Sequence, residues 1–223
     1  MKRRLIGLAL GAALMAGAAS AGTPAGGVYD LLFRAGTLDG VPHGATLVYD
    51  RDVANDLVPE AQARESGEVR LALAEDGSDE ARLVFFQGER HRAIGAFPAD
   101  VGNPVIMYFM ETVVRDIAES AGGSPFYIRN RLKEALVRPA EVVDLTAAYG
   151  DREVAAQSVT LRPFENDPNS ARMRGFSDLA LIVTMSEDVP GWYRSLSAVV
   201  PGPEGGAPVY ASTLRLEPPE EGR

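Results

Sequence analysis

The chain of 223 residues contains no cysteine, two histidines and one tryptophan. Without cysteine there is no disulfide, no thiolate metal site, no cysteine nucleophile and no point of lipid attachment. The fold must therefore be held by packing. His43 and His91 have no second ligand at metal-binding spacing, and no nucleophile elbow accompanies them. None of the glycine clusters opens a helix in the manner of a phosphate loop. Catalytic residues, metal ligands and cofactors are accordingly not assigned.

Long apolar runs are also scarce. The single example, Leu5 to Ala19, is shorter than the roughly 20 residues that a spanning helix requires. It follows Lys2, Arg3 and Arg4 and leads into Ala19-Ser20-Ala21, small residues that a signal peptidase accepts. Residues 1–21 therefore read as a cleavable signal peptide, with the mature chain starting at Gly22, exported and not membrane-spanning. Arginine outnumbers lysine and Ala and Gly are abundant, a composition like that of a high-GC bacterium, which makes the periplasm the expected compartment. Removing the signal leaves 19 basic against 31 acidic residues, a net charge of −12. That surface is a poor partner for nucleic acid.

About 200 mature residues are enough to bury a core as one domain. Residues 22–27 form a small-residue leader expected to be flexible. From Val28 to Arg34, Tyr29, Leu31 and Phe33 alternate in the manner of a strand, and Ala45 to Tyr49 follows beyond an Asp39-Gly40 turn. Residues Val53 to Ser66 fit neither period. Val69 to Ala74, Ala81 to Phe86 and His91 to Ala96 are separated by turns so short that the strands must be antiparallel neighbours. This predicts a meander of about five strands.

At Asn103-Pro104 the period changes. Ile106, Phe109, Met110, Val113, Ile117 and Ala121 recur at helical spacing until Gly122-Gly123. A second helix opens with Ser124-Pro125, buries Ile128, Leu132, Ala135 and Leu136, and stops before Pro139. The short connector predicts a helical hairpin over 103–138. Strand patterns return at Val154 to Leu161, Leu179 to Met185, Ser195 to Val200 and Val209 to Leu216, with a polar surface loop over Pro163 to Gly175. The expectation is one α+β domain over 28–217, a curved antiparallel sheet of about eight or nine strands around the central hairpin, then a disordered acidic tail over 218–223.

Three stretches carry a resemblance. They are Tyr29-Asp30-Leu31-Leu32-Phe33-Arg34, the helices from Asn103 to Arg138, and Ser186-Glu187-Asp188-Val189-Pro190-Gly191-Trp192-Tyr193 before the last strands. Their order resembles the periplasmic half-barrel carriers of the outer-membrane lipoprotein carrier type, although the helical hairpin here is undivided near the middle of the chain. The resemblance implies a curved sheet enclosing an apolar cavity plugged by helices. It also implies a non-enzymatic carrier of an apolar or amphipathic ligand, such as a lipid, or a protein that binds an envelope partner.

Met107, Phe109, Met110, Val113, Trp192 and Tyr193 are the candidate lining of such a cavity, since Met and aromatic side chains adapt to varied apolar shapes. Arg129, Arg131, Lys133 and Arg138 form a basic island on the second helix, a candidate contact for an anionic headgroup or partner, or otherwise a solvated face. Two rivals stand beside the carrier reading. One is a periplasmic hydrolase using two carboxylates across a cleft; the other is an envelope assembly factor without a small ligand.

Overall fold

The computed structural model describes Ser20–Ala21 and residues 27–219. The expected signal peptide, the leader and the end of the acidic tail otherwise lie outside the described residues. In chain order the elements are β1 (Ser20–Ala21), α1 (Gly27–Leu32), β2 (Thr46–Asn55), α2 (Glu60–Glu65), β3 (Gly67–Leu73), β4 (Glu80–Gln87) and β5 (Arg90–Pro98). They continue as α3 (Val105–Ala121), α4 (Pro125–Val137), β6 (Val142–Tyr149), β7 (Arg152–Leu161), β8 (Ala180–Met185), β9 (Tyr193–Val200) and β10 (Tyr210–Leu216). The molecule is α+β. Nine long strands and the two-residue β1 form one curved antiparallel sheet that does not close, in the order β1-β6-β7-β8-β9-β10-β2-β3-β4-β5. No helix among the described residues is long and apolar enough to cross a membrane.

The order has a simple origin. Short turns make two meanders, β2 to β5 and β6 to β10, because tight connections allow only antiparallel neighbours. The meanders join where β10 pairs with β2, from Tyr210↔Asn55 to Leu216↔Tyr49. β5 is therefore left at one edge and β6 near the other. The chain passes between them through α3 and α4. Strict alternation sets the inner face: Leu47, Tyr49, Arg51, Val53 and Asn55 of β2 are buried while Thr46, Asp50 and Asp52 are exposed.

α3 lies in the hollow of the sheet. Its exposed positions are Met107, Glu111, Arg115 and Glu119, spaced four apart in one stripe; Ala118 and Ala121 are half-buried and the rest is buried. A helix apolar on nearly every side is stable only when packed on more than one face, and each Val or Ile so buried contributes roughly 1.5–3 kcal/mol. Asn103 opens the helix by accepting the Val105 amide at 3.1 Å. Gly122 and Gly123, both at positive φ, end it and turn the chain into α4.

Four expectations change. Val28 to Arg34 does not form a strand: α1 is a helix that buries Val28 and Leu32, four apart, and stacks Tyr29 on Phe33 with ring centroids 4.8 Å apart. In so short a segment, spacings of two and of four share the same apolar residues, so periodicity alone does not separate strand from helix. The meander before the hairpin consequently has four strands. The ambiguous stretch from Val53 divides between the end of β2 and α2. β6, missing from the sequence pattern, is covered by β1 only at Val142 and Val143 and is otherwise an outer strand, whose ends Val142 and Tyr149 are buried while its middle is largely open. The 163–175 loop is not wholly superficial, since Phe164, Met173 and the following Phe176 anchor it in the core.

Candidate functional site

The open edge β5 and the exposed stripe of α3 run side by side, and hollows follow one another between them. At the start of α3, Ile106 and Met107 meet Tyr29 of α1 and Phe33 just after it, Phe97 of β5 and Tyr193 around a groove of about 310 Å³. Its walls are apolar and in contact with solvent, with Tyr29 49% and Met107 53% exposed. Further along, Ile94 of β5, Tyr108 and Thr112 line a hollow of about 230 Å³. Ile94 is the extra residue of a β-bulge, since Leu83 pairs with Gly95 and Val84 with Ala93. Beyond it, where α2 takes the place of α3 beside β4 and β5, Glu65, Phe85, Gln87 and His91 line a third hollow of about 270 Å³.

The apolar end is held by a hydrogen-bonded hub. The Asn103 side-chain amide donates to Tyr49 Oη at 2.8 Å and to the Gly191 carbonyl at 2.7 Å, and its backbone N–H donates to Thr37 Oγ1. Gly191 has φ +76°, and a Cβ there would meet Leu47 Cδ1 at 2.6 Å. Trp192, next in the turn, also has φ +76°, a conformation rare outside glycine. Its indole N–H donates to the Leu31 carbonyl at 3.3 Å, and the Tyr193 hydroxyl donates to the Leu32 carbonyl. The 186–193 turn thus fixes α1 against the start of α3. Burial pushes the Tyr49 and Tyr193 phenols well above their ordinary pKa, so both stay neutral, Tyr49 accepting from Asn103 and Tyr193 donating to Leu32. On the other side of this turn lies a polar hollow of about 570 Å³, where Arg34 lies 4.7 Å from the Trp192 ring centroid and pairs with Glu187.

The six candidate cavity residues are therefore divided. Met107 and Tyr193 share the apolar groove, Trp192 lines the polar hollow, and Phe109, Met110 and Val113 are packed in the core. The last three face inward while Met107 falls in the exposed stripe, a separation that follows from the helical turn. The apolar opening lies at the rim of the layers, between β5 and α3.

The basic island is engaged by the chain's own groups. Arg129 grips Glu111 of α3 through Nε and Nη2, both at 2.8 Å, and holds that carboxyl below its ordinary pKa. Arg131 reaches Asp167 at 2.8 Å and Glu134 at 2.8 Å, and Arg138 lies 3.5 Å from Glu134. Burial pushes the Asp167 pKa up, but the Asn169 amide, the Tyr127 hydroxyl and Arg131 outweigh it and hold it low. These contacts tie α4 to α3 and to the 163–175 loop. Lys133 has no ion pair among the described residues.

A buried polar cluster behind the trough was not anticipated. Arg51, 1% exposed, donates from Nη1 to Glu65 Oε2 and to Tyr108 Oη, both at 3.1 Å, and its Nη2 lies 3.8 Å from Asp116. Arg51 Nε and Nη2 have no hydrogen-bond partner among the described residues. Tyr210 donates to Asp116 at 2.7 Å, and Asn55 to Ser120 at 2.7 Å. Burial raises the Asp116 pKa against the pull of Tyr210 and Arg51. Burial also raises that of Glu65, but there Arg51, Arg64 and Arg115 prevail and the net shift is downward. A sequence signal for Arg51 existed, since it is in phase with Tyr49 and Val53 on the inward side of β2. Among the described residues no group of three or more His, Asp or Glu could hold a metal ion.

Comparison with protein-family models, with curated proteins and with solved structures finds no match for this chain.

Proposed function

We propose that this is an exported, non-enzymatic binding or carrier protein that holds an amphipathic ligand in the trough between β5 and α3. The carrying observation is the rim groove, where Tyr29, Val101 and Met107 are exposed beside the half-buried Phe33 and Phe97 and leave an apolar surface open instead of packing it away. Ligand sites are concave and mostly apolar with a few fixed polar groups, and the Asn103 hub supplies the rigid wall. The resemblance to the half-barrel carriers is one of arrangement, with the difference that the ligand lies at the mouth of the sheet and the core behind it is packed with side chains. Binding is then reversible burial of apolar surface, with α3 as the floor.

The test uses the full chain, purified from the periplasm of an expressing bacterium. Native mass spectrometry is expected to show a mature chain beginning at Gly22 with co-purified lipid. Added fatty acid or phospholipid is expected to raise the melting temperature and to shift Trp192 fluorescence, and Met107→Asp is expected to abolish both responses. A protein that purifies without lipid, responds to none of these ligands and instead captures an envelope protein through the same groove would replace the carrier reading with that of an assembly factor.

A further inference from the structure

We propose that the far end of the trough is a phosphate site, so that the ligand is a phosphorylated amphiphile. The apolar half of this statement rests on the carrier reading; the phosphate half does not.

Three elements bring guanidinium groups to the two hollows beyond the apolar groove: Arg64 from α2, Arg90 and Arg92 from β5, and Arg115 from α3. Two carboxylates, Glu65 and Glu111, share the lining with these four arginines. Both are already engaged, Glu111 by Arg129 and Glu65 by Arg51 and Arg64. Arg90 and Arg92 make no ion pair among the described residues, and Arg115 has one contact of 3.6 Å, to Glu65. This concentration of positive charge sits in a chain of net charge −9, where random placement would favour the opposite sign.

A second observation comes from behind the lining. The Arg51 side chain is fully buried, lies against Phe85 and Tyr108, which form the walls of the two hollows, and has Nε and Nη2 without hydrogen-bond partners among the described residues. Paired with Glu65 at 3.1 Å, it offsets the carboxylate that lines the hollow in front of it and leaves the arginines there to set the local sign. Arg92 approaches the same Phe85 ring, at 5.8 Å from the centroid. Arg64 is held by Glu65 and by Glu119 at 2.6 Å, so Arg90 and Arg92 are the planar forks left to match the oxygens of a phosphate, which accepts paired, charge-assisted hydrogen bonds. The exposed stripe of α3 connects the two ends: from Met107 to Arg115 is about 12 Å along the helix, and from Phe97 to Arg92 about 17 Å along β5. A molecule with its apolar part against Met107 and Phe97 therefore places a headgroup one short span away, among the arginines.

Calorimetric titration of the full chain separates the possibilities, using inorganic phosphate, a lysophosphatidic acid and the uncharged monoacylglycerol of the same chain length, each below its micelle concentration. The wild type is expected to bind the lysophosphatidic acid at least tenfold more tightly than either of the others. Arg90→Ala/Arg92→Ala, both at exposed edge positions, is expected to keep the wild-type melting temperature and lose that preference. Met107→Asp is expected to weaken the lysophosphatidic acid and leave inorganic phosphate unchanged. Equal affinity of wild type and double variant for the lysophosphatidic acid overturns the phosphate site. Monoacylglycerol bound as tightly as lysophosphatidic acid overturns it as well and leaves the carrier reading standing. Phosphate binding that the double variant loses, with no gain from an acyl chain, upholds the arginine site and removes the carrier reading.

Discussion

A guanidinium inside a core is tolerated only where carboxylates offset the loss of water around its charge, and Arg51 has Glu65 at 3.1 Å and Asp116 at 3.8 Å. Removing one partner of such a buried pair typically costs about 3 kcal/mol or more. Glu65→Gln is therefore expected to lose about 3 kcal/mol at pH 7 in urea unfolding. The folded pKa of Glu65 lies below its ordinary 4.5, so its contribution is present above pH 4.5 and is lost as pH falls through the folded value. The gap between variant and wild type should accordingly narrow in acid; a constant gap from pH 7 to 3 would contradict the assignment. Asp116 runs the other way, since burial raises its pKa above 3.8 and its ionisation costs stability as pH rises through that window. Gly191 tests the hub by geometry. Its positive φ and the 2.6 Å approach to Leu47 leave no room for a methyl group, and overpacking of this kind costs about 1–3 kcal/mol. Gly191→Ala should lower the melting temperature and also weaken ligand binding at the adjoining groove.

Among the elements, α3 shows how much a single period can reveal. Its boundaries and buried positions were legible because Asn-Pro and Gly-Gly bracket an unambiguous helical repeat. Truncation at its two faces should differ sharply: Ile117→Ala, at 0% exposure, is expected to cost about 2–5 kcal/mol, and Met107→Ala less than about 0.5 kcal/mol. Equal losses in thermal unfolding would mean that Met107 is packed and the groove closed. Strands β3, β4, β5, β7, β8, β9 and β10 were legible for a similar reason, alternation between turn residues. α1 and β6 were not, the first because six residues do not separate the two periods, the second because an outer strand with an open middle carries no clean alternation. The trough was illegible for another reason. Phe97, Met107 and Arg115 are separated in sequence, and only the placement of α3 beside the β5 edge makes them neighbours. The Arg90-His91-Arg92 triplet was visible, but not the arginines from α2 and α3 that complete the cluster.

At the scale of the whole molecule, the joint between the two meanders is the β2–β10 pairing, which links strands more than 150 residues apart in sequence and leaves no local trace for a sequence reader. Polar contacts from α3 reach both joined strands, Arg51 and Asn55 in β2 and Tyr210 in β10. Such a shared centre predicts one cooperative transition. Denaturation followed by Trp192 fluorescence, which samples the 186–193 turn, should coincide with that followed by circular dichroism; two separated midpoints would show the meanders unfolding independently. The same architecture makes the Gly122-Gly123 connector, exposed and free of packing, the one place where the backbone can be interrupted between complete halves. Residues 27–122 carry the first meander with α3, and 123–219 carry α4 with the second. Produced as separate polypeptides, these two pieces should reassemble by fragment complementation through the β2–β10 seam, which turns the scaffold into a bipartite reporter whose reconstitution can be scored without knowing its ligand.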